Sequence, residues 1–399
     1  MSVTVIDQIM GGYKTSWAIN HMNKHPKDNF LYITPYLDEV RRIKDATKGY
    51  KEFREPENKG TGKLESIKYL IRSESDIAST HELFKHYDAE TREALQQTKY
   101  TLILDEVLDV LEPYPVRKDD LKILKNSGCI TVDEKGYVIW NDSCKDYDTA
   151  YNEIKILAES HVLFFLNDTV LFWKYPPEIF TLFEDVYILT YIFEASILKY
   201  YFDYHGIEYT KKSVFHNESG DLWLDNYEKP DVSKYRSLIH IFNESNNHKL
   251  NNQKQSCLSK SWYEDSGNKD KMKVLKKCAY NFFHNISKAK STEVMWTSFK
   301  DYKRSVQPNC YASSFVSFNC RATNEYADRK FLAYIINVYP NPWLDLFFIE
   351  RDIKIDKDLY ALGIMLQWIW RSQIRTGKEI VIYIPSDRMR NILLNWLYN

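Results

Sequence analysis

Residues 10–19 read MGGYKTSWAI and follow a short β-branched run, SVTVI at 2–6. The order is therefore strand, tight turn, helix, because AINHMNKH at 18–25 carries helical spacing. Gly11 and Gly12 permit the torsions that let successive backbone N–H groups face an anion at a helix N-terminus. Lys14 and Thr15, with Ser16 behind them, are the side chains that a phosphate-binding loop uses to reach the outer phosphates and hold magnesium. Gln8 stands where such a loop has its first glycine, and Tyr13 where it has its last. Taken alone, the stretch reads equally well as a Gly-Gly turn into a surface helix.

The pattern repeats outward from there. Phe30–Thr34 is a strand followed by a helix starting near Pro35, SDIASTHELFKHY at 75–87 is a strand leading into a helix, and YTLILDEV at 100–107 is a buried strand with carboxylates at its end. Strands alternating with helices imply a parallel sheet, whose ligands bind beyond the carboxyl ends of the strands. Residues 113–160 break the alternation with a helix and a hairpin, turning at 126–128 and 134–136, and read as an insertion. The alternation resumes with a strand ending at Thr190. In the second half, 243–270 is the most polar stretch and reads as a long surface loop. It is followed by a helix at 271–286, strands at EVMWTSF (293–299) and SFVSFNC (314–320), a helical DRKFLAYIINVY (328–339), a long helix from about Asp356 to Arg375, the strand EIVIYI (379–384) closing the sheet, and a terminal helix. The fold class is α/β in two halves, 1–215 and 216–399.

Composition narrows the function. Lys plus Arg is 54 against 55 Asp plus Glu in 399 residues, so a nucleic-acid surface must be a local patch. The six cysteines show neither C-x-x-C spacing nor paired histidines, and read as reduced thiols of a cytoplasmic protein. The N-terminus lacks the order of a signal peptide, and the most apolar stretch, from 162, is broken by Asn167, Asp168, Lys174 and two prolines, so no membrane span is expected.

Two further clusters carry chemistry. Asp105 and Glu106 end a buried apolar strand, where carboxylates are costly unless a cation or hydrogen bonds compensate them. In nucleotide hydrolases the first holds magnesium and the second activates water. Gln367, Arg371 and Arg375 are spaced by four, which places them on one helix face, from where arginines neutralise charge on a transferred phosphoryl group.

In this order the motifs resemble superfamily 2 helicases and translocases of the DEAD/DEAH-like kind, in compact phage-encoded form. The resemblance spans nearly the whole chain through MGGYKTS, ITPYLDEVRRI, IASTHELF, LILDEV, ILTYIFEAS, WTSFKDY, FNCRATNEYADR and QWIWRSQIR. It implies two RecA-like parallel-sheet domains with an ATP cleft between them. It further implies that Lys14 binds the β- and γ-phosphates of ATP, that Thr15 and Asp105 hold Mg2+, and that Glu106 is the base. Thr190 would couple hydrolysis to movement, and Gln367, Arg371 and Arg375 would sense the γ-phosphate. Thr34, Arg41, Thr80, His81, Arg321 and Thr323 would lie along a nucleic-acid backbone. The last motif departs from the family, with arginines four and eight rather than four and seven after Gln367. The chain begins at the first strand, so no upstream adenine-reading segment is expected and the base is not legible.

The expected activity is nucleic-acid-stimulated ATP hydrolysis driving a helicase or translocase in phage DNA replication or recombination. Single-stranded or duplex DNA, or RNA, would be the track, and a replication or recombination protein a partner. Two readings compete: a catalytically weakened motor-like binding module, for which Tyr13 speaks, and a packaging-type motor subunit, which lacks a clear acidic nuclease cluster at 230–399.

Overall fold

The computed structural model describes residues 2–58, 60, 62–146, 150–167, 170–319 and 325–399, apart from the side chain of Ser245. The chain divides into two compact units, Met1–Gln8 with Gly12–Glu228 and Asn341–Ile355, and Ile9–Gly11 with Lys229–Pro340 and Asp356–Asn399.

The first unit is built on strands β1 (Ser2–Asp7), β2 (Phe30–Thr34), β3 (Ile77–Thr80) and β4 (Thr101–Asp105). The insertion follows, with β5 (Leu111–Pro113), β6 (Ile130–Val132), β7 (Val138–Trp140), β8 (Leu163–Leu166) and β9 (Val170–Lys174), and then β10 (Asp185–Thr190), β11 (Thr210–His216) and β12 (Leu222–Asn226). The main sheet has the order β12-β11-β1-β10-β4-β2-β3 and is parallel throughout except for the β11–β12 hairpin. Every residue of β2 is buried, as a central parallel strand covered on both faces requires. Trp17, Ala18 and Met22 of the helix Lys14–Lys24 pack with Ile6, Phe30, Tyr32 and Ile103 in the core of this sheet. That helix is therefore fixed against the strands it connects.

Residues 113–160 hold the expected helix, Lys118–Asn126, and hairpin, β6–β7, but the inserted segment reaches beyond both expected bounds, since an antiparallel sheet of order β5-β9-β8 runs from Leu111 to Lys174. Cys129 and Cys144 form a disulfide across the hairpin, with Cα atoms 5.3 Å apart. This corrects the reading of all cysteines as reduced thiols: a pairing over 15 positions is made by the hairpin fold and leaves no short-range spacing signal. The helix Pro342–Ile349 belongs to the same unit, and its Phe347 ring lies 5.9 Å from Phe164 and 5.6 Å from Tyr204.

The second unit has a four-stranded parallel sheet of β13 (Ile239–Phe242), β14 (Val294–Thr297), β15 (Phe331–Tyr334) and β16 (Ile380–Tyr383) in the order β13-β16-β15-β14. Several expectations are corrected here. Residues 328–339 are not helical: Phe331–Tyr334 is an interior strand, and a continuous apolar run carries no period to separate buried strand from buried helix. The strand at 379–384 lies inside the sheet, between β13 and β15, rather than closing it. SFVSF makes no strand among its described residues beyond a bridge of Phe315 to Trp296. The 243–270 stretch is not a surface loop, since Leu250, Cys257, Leu258 and Tyr263 enter the core. Its polar residues act locally, as where Ser259 Oγ accepts from Trp262 N and Asp265 Oδ1 from Gly267 N.

Candidate nucleotide site

The carboxyl edge of the first sheet presents, in spatial order, Asp7 on β1, Thr190 on β10, Asp105 on β4, Thr34 on β2 and Thr80 on β3. Register aligns them, with Asp7 opposite Thr190 and Asp105 opposite Leu189, the residue before it. The loop from Gln8 to Tyr13 rises from this edge and feeds the helix that begins at Lys14. One strand, β10, separates the loop's strand from β4, so the two lie about 10 Å apart, a span that a phosphate and a hydrated cation fill.

In the loop, Gly11 has φ +82°, a torsion that glycine adopts without penalty. Tyr13 has φ +61°, and its ring turns outward to lie 4.8 Å from the His216 ring. The tyrosine therefore does not fill the space in front of the helix. Lys14 Nζ donates to Gln8 O at 2.5 Å, which holds the ammonium over the loop's own backbone. Gln8 Oε1 is buried with no hydrogen-bond partner among the described residues.

Asp105 Oδ2 accepts a hydrogen bond from Tyr32 OH at 2.8 Å. Burial first, and the charge of Glu106 second, push its carboxyl up to about 6, while the Tyr32 bond works in the opposite direction. A desolvated carboxyl beside a second one is a fitting oxygen donor for a hard cation, and Thr15 in the first helical turn supplies a hydroxyl. Glu106 sits at φ +68°, with its N–H donating to Leu189 O, so the chain turns sharply as β4 ends. His81 is buried, and its Nε2 lies 3.0 Å from Asp105 O. Among the described residues no group of three or more His, Cys, Asp or Glu forms a metal cluster, and no helix is long and apolar enough to cross a membrane.

Asp7 and Tyr32 are the residues that sequence reasoning missed. Asp7 is fully buried, accepting from Ile192 N at 2.8 Å and Phe193 N at 3.0 Å, with Lys211 Nζ at 3.1 Å. It ties the end of β1 to the segment after Thr190, where Ile192 takes φ +56°, costly for a β-branched residue. The carboxylate at the end of the first strand was visible in the sequence; its partners were not.

The remaining candidates are dispersed. Arg41 is exposed and pairs with Asp38 at 3.0 Å. Thr34 is buried, and Thr80 Oγ1 caps the following helix by accepting from Leu83 N. Arg321 and Thr323 lie outside the described residues. In the second unit the helix from Lys357 ends at Ile369, which corrects the single helix face expected for Gln367, Arg371 and Arg375. Gln367 is on that helix, Arg371 is buried just past its end, and Arg375 is exposed on the short turn Gln373–Thr376. Ser372, whose hydroxyl accepts from Ile374 N, starts that new turn.

Residues 233–397 match the YonV C-terminal Rossmann-like domain and residues 111–173 the YonV middle domain. The SPbeta prophage-derived protein YonV of Bacillus subtilis (strain 168) is 39% identical over 410 residues, an alignment covering 100% of this chain and 99% of that protein. The chain belongs to the YonV family. Among solved structures, S. tokodaii Xpd4 is similar with a TM-score of 0.52 at 12% identity, covering 99% of this chain and 94% of that one. An apo XPD structure is similar with a TM-score of 0.48 at 13% identity, covering 98% and 95%. At such identity the Xpd4 likeness speaks to fold, and this chain has a helicase-like α/β fold with parallel sheets.

Proposed function

We propose that this protein is a nucleic-acid-stimulated ATPase acting as a helicase or translocase. The observation that carries the reading is one sheet edge bearing both a Gly-Gly-x-Lys-Thr loop at a helix N-terminus and, two strands away, Asp105 with Glu106. Lys14 leaves Gln8 O to meet the β- and γ-phosphates. Thr15 and Asp105 would hold Mg2+, which would supply charge neutralisation at the phosphates. Glu106 orients and deprotonates the attacking water. Gln367, Arg371 and Arg375 answer to the γ-phosphate, and Thr190, through the Asp7–Ile192 tie, passes the change in the loop to β10 and the segment beyond it. His81 serves as a positioning residue at Asp105, leaving Arg41, Arg321 and Thr323 for the DNA or RNA backbone. The prophage origin of the YonV relative supports work in phage replication or recombination, in the host cytoplasm.

A second reading, a weakened motor that binds nucleic acid without efficient turnover, is favoured by one feature: Lys14 is already engaged by Gln8 O, beside a tyrosine in a glycine's place. Phosphate release with Mg2+ and ATP, with and without single-stranded DNA or RNA, separates the two. Stimulated release is expected, falling at least about 100-fold in Glu106→Gln, as loss of a general base implies, and to background in Lys14→Ala. Wild-type release no higher than in the variants under every condition overturns the motor reading.

A further inference from the structure

The position of Tyr13 in a phosphate loop calls for a reason, because a left-handed tyrosine is strained where glycine would not be. Tyr13 is 50% exposed, and its ring lies against His216, the last residue of β11. That strand runs parallel to β1 and pairs with it on the side away from β10, with Lys212 opposite Ile6. β11 thus continues four residues beyond this pairing, so that its turn stands as a wall over the carboxyl edge. The turn is braced internally, since Asn217 and Asp221 bond each other through side chain and backbone. Between loop and wall is a pocket of about 800 Å³ lined by Tyr13, Ser16, His216, Asn217, Glu218 and Leu222.

The direction of a bound nucleotide follows from the two ends of the site. The terminal phosphate belongs on the β4 side, where Asp105 and Glu106 are, so the nucleoside must leave the loop on the opposite side, past Ser16 toward β11. There it meets the two rings. We propose that Tyr13 and His216 form an aromatic ledge that seats the base of a purine nucleoside triphosphate. This rests on the phosphate-loop reading above. The two rings are inclined at 57°, so one gives the base its face and the other its edge, with Leu222 as apolar neighbour, and a purine covers more of this surface than a pyrimidine. Stacking of one base on aromatic side chains corresponds to roughly a five- to hundredfold change in affinity.

Calorimetric titration with Mg2+ and three ligands, ATP, UTP and inorganic tripolyphosphate, tests this on the full chain. Wild type is expected to bind ATP more tightly than UTP, and UTP more tightly than tripolyphosphate. His216→Ala, a change at the exposed end of β11, should weaken ATP at least about fivefold and leave tripolyphosphate unchanged. Tyr13→Gly should keep or raise tripolyphosphate affinity while losing the advantage of ATP over it. Equal binding of all three ligands, lost in Lys14→Ala but unaffected by His216→Ala, overturns the ledge and leaves the phosphate loop standing. Absence of binding by any ligand overturns both.

Discussion

Asp7 shows how much of the sheet's carboxyl edge rests on a single side chain. It is buried at the end of β1, and both carboxylate oxygens are used, by two backbone N–H groups and by Lys211. In Asp7→Ala Lys211 keeps Glu194 at 2.6 Å, but the Ile192 and Phe193 N–H groups lose their acceptor, so stability should fall by roughly 2–4 kcal/mol in urea unfolding. A milder loss in Asp7→Asn, which keeps one acceptor, would attribute the remainder to charge. Lys174 is a second buried ion, ringed by Tyr137, Phe164 and Tyr204 at 5.0–5.6 Å. Burial, then the charge of Arg351, lower its ammonium to about 8, below its value in the unfolded chain. A lowered base contributes stability above its unfolded pKa and loses it as pH falls through the folded one. Wild type should therefore gain on Lys174→Met by roughly 2–3 kcal/mol between pH 8 and 10, read from urea midpoints at each pH. At this scale the sequence displays what is local: Lys14, Thr15, Asp105 and Glu106 sit within contiguous motifs at one sheet edge. Asp7 and Tyr32 were not legible, because their partners lie 185 and 73 positions away.

Tyr13, Glu106 and Ile192 all have left-handed backbones, and each follows the end of a strand on the same sheet edge. Such residues persist only where surrounding bonds over-determine them, as Leu189 O does for Glu106 and Asp7 for Ile192. Legibility at this scale depended on period. The strand-helix alternation of the first half was readable from β-branched runs and turn residues. Phe331–Tyr334 was not, since an interior strand is apolar at every position, and the end of the helix at Ile369 is set by backbone turns that the four-residue spacing of Gln367, Arg371 and Arg375 disguises. In the insertion, the Cys129–Cys144 bond closes 15 positions of chain. Reduction should remove about 3 kcal/mol of stabilisation there. Hydrogen exchange with and without reductant should show faster exchange in the hairpin Ile130–Trp140 and unchanged protection of β1, β4 and β10; uniform acceleration would count against a local role.

The chain forms two compact units whose sequences are interleaved rather than consecutive. The helix Pro342–Ile349 lies far along the chain yet packs in the first unit, where Phe347 meets Phe164, Phe172 and Tyr204, Phe348 meets Tyr200, and Glu350 accepts from Asn167. A fragment ending at residue 228 lacks that cover and should aggregate or bind a hydrophobic dye, whereas adding the 341–355 peptide in trans should reduce the dye signal. A soluble 1–228 fragment with native-like near-ultraviolet circular dichroism would show that the cover is dispensable. The interleaving also has a consequence in time. During synthesis the aromatic face of the first unit is made early, but its covering helix follows only after residues 229–340 have been translated, a wait on the order of ten seconds. For that interval the nascent chain carries an open apolar surface, so its yield should depend on how fast the ribosome moves and on which chaperones stand near it.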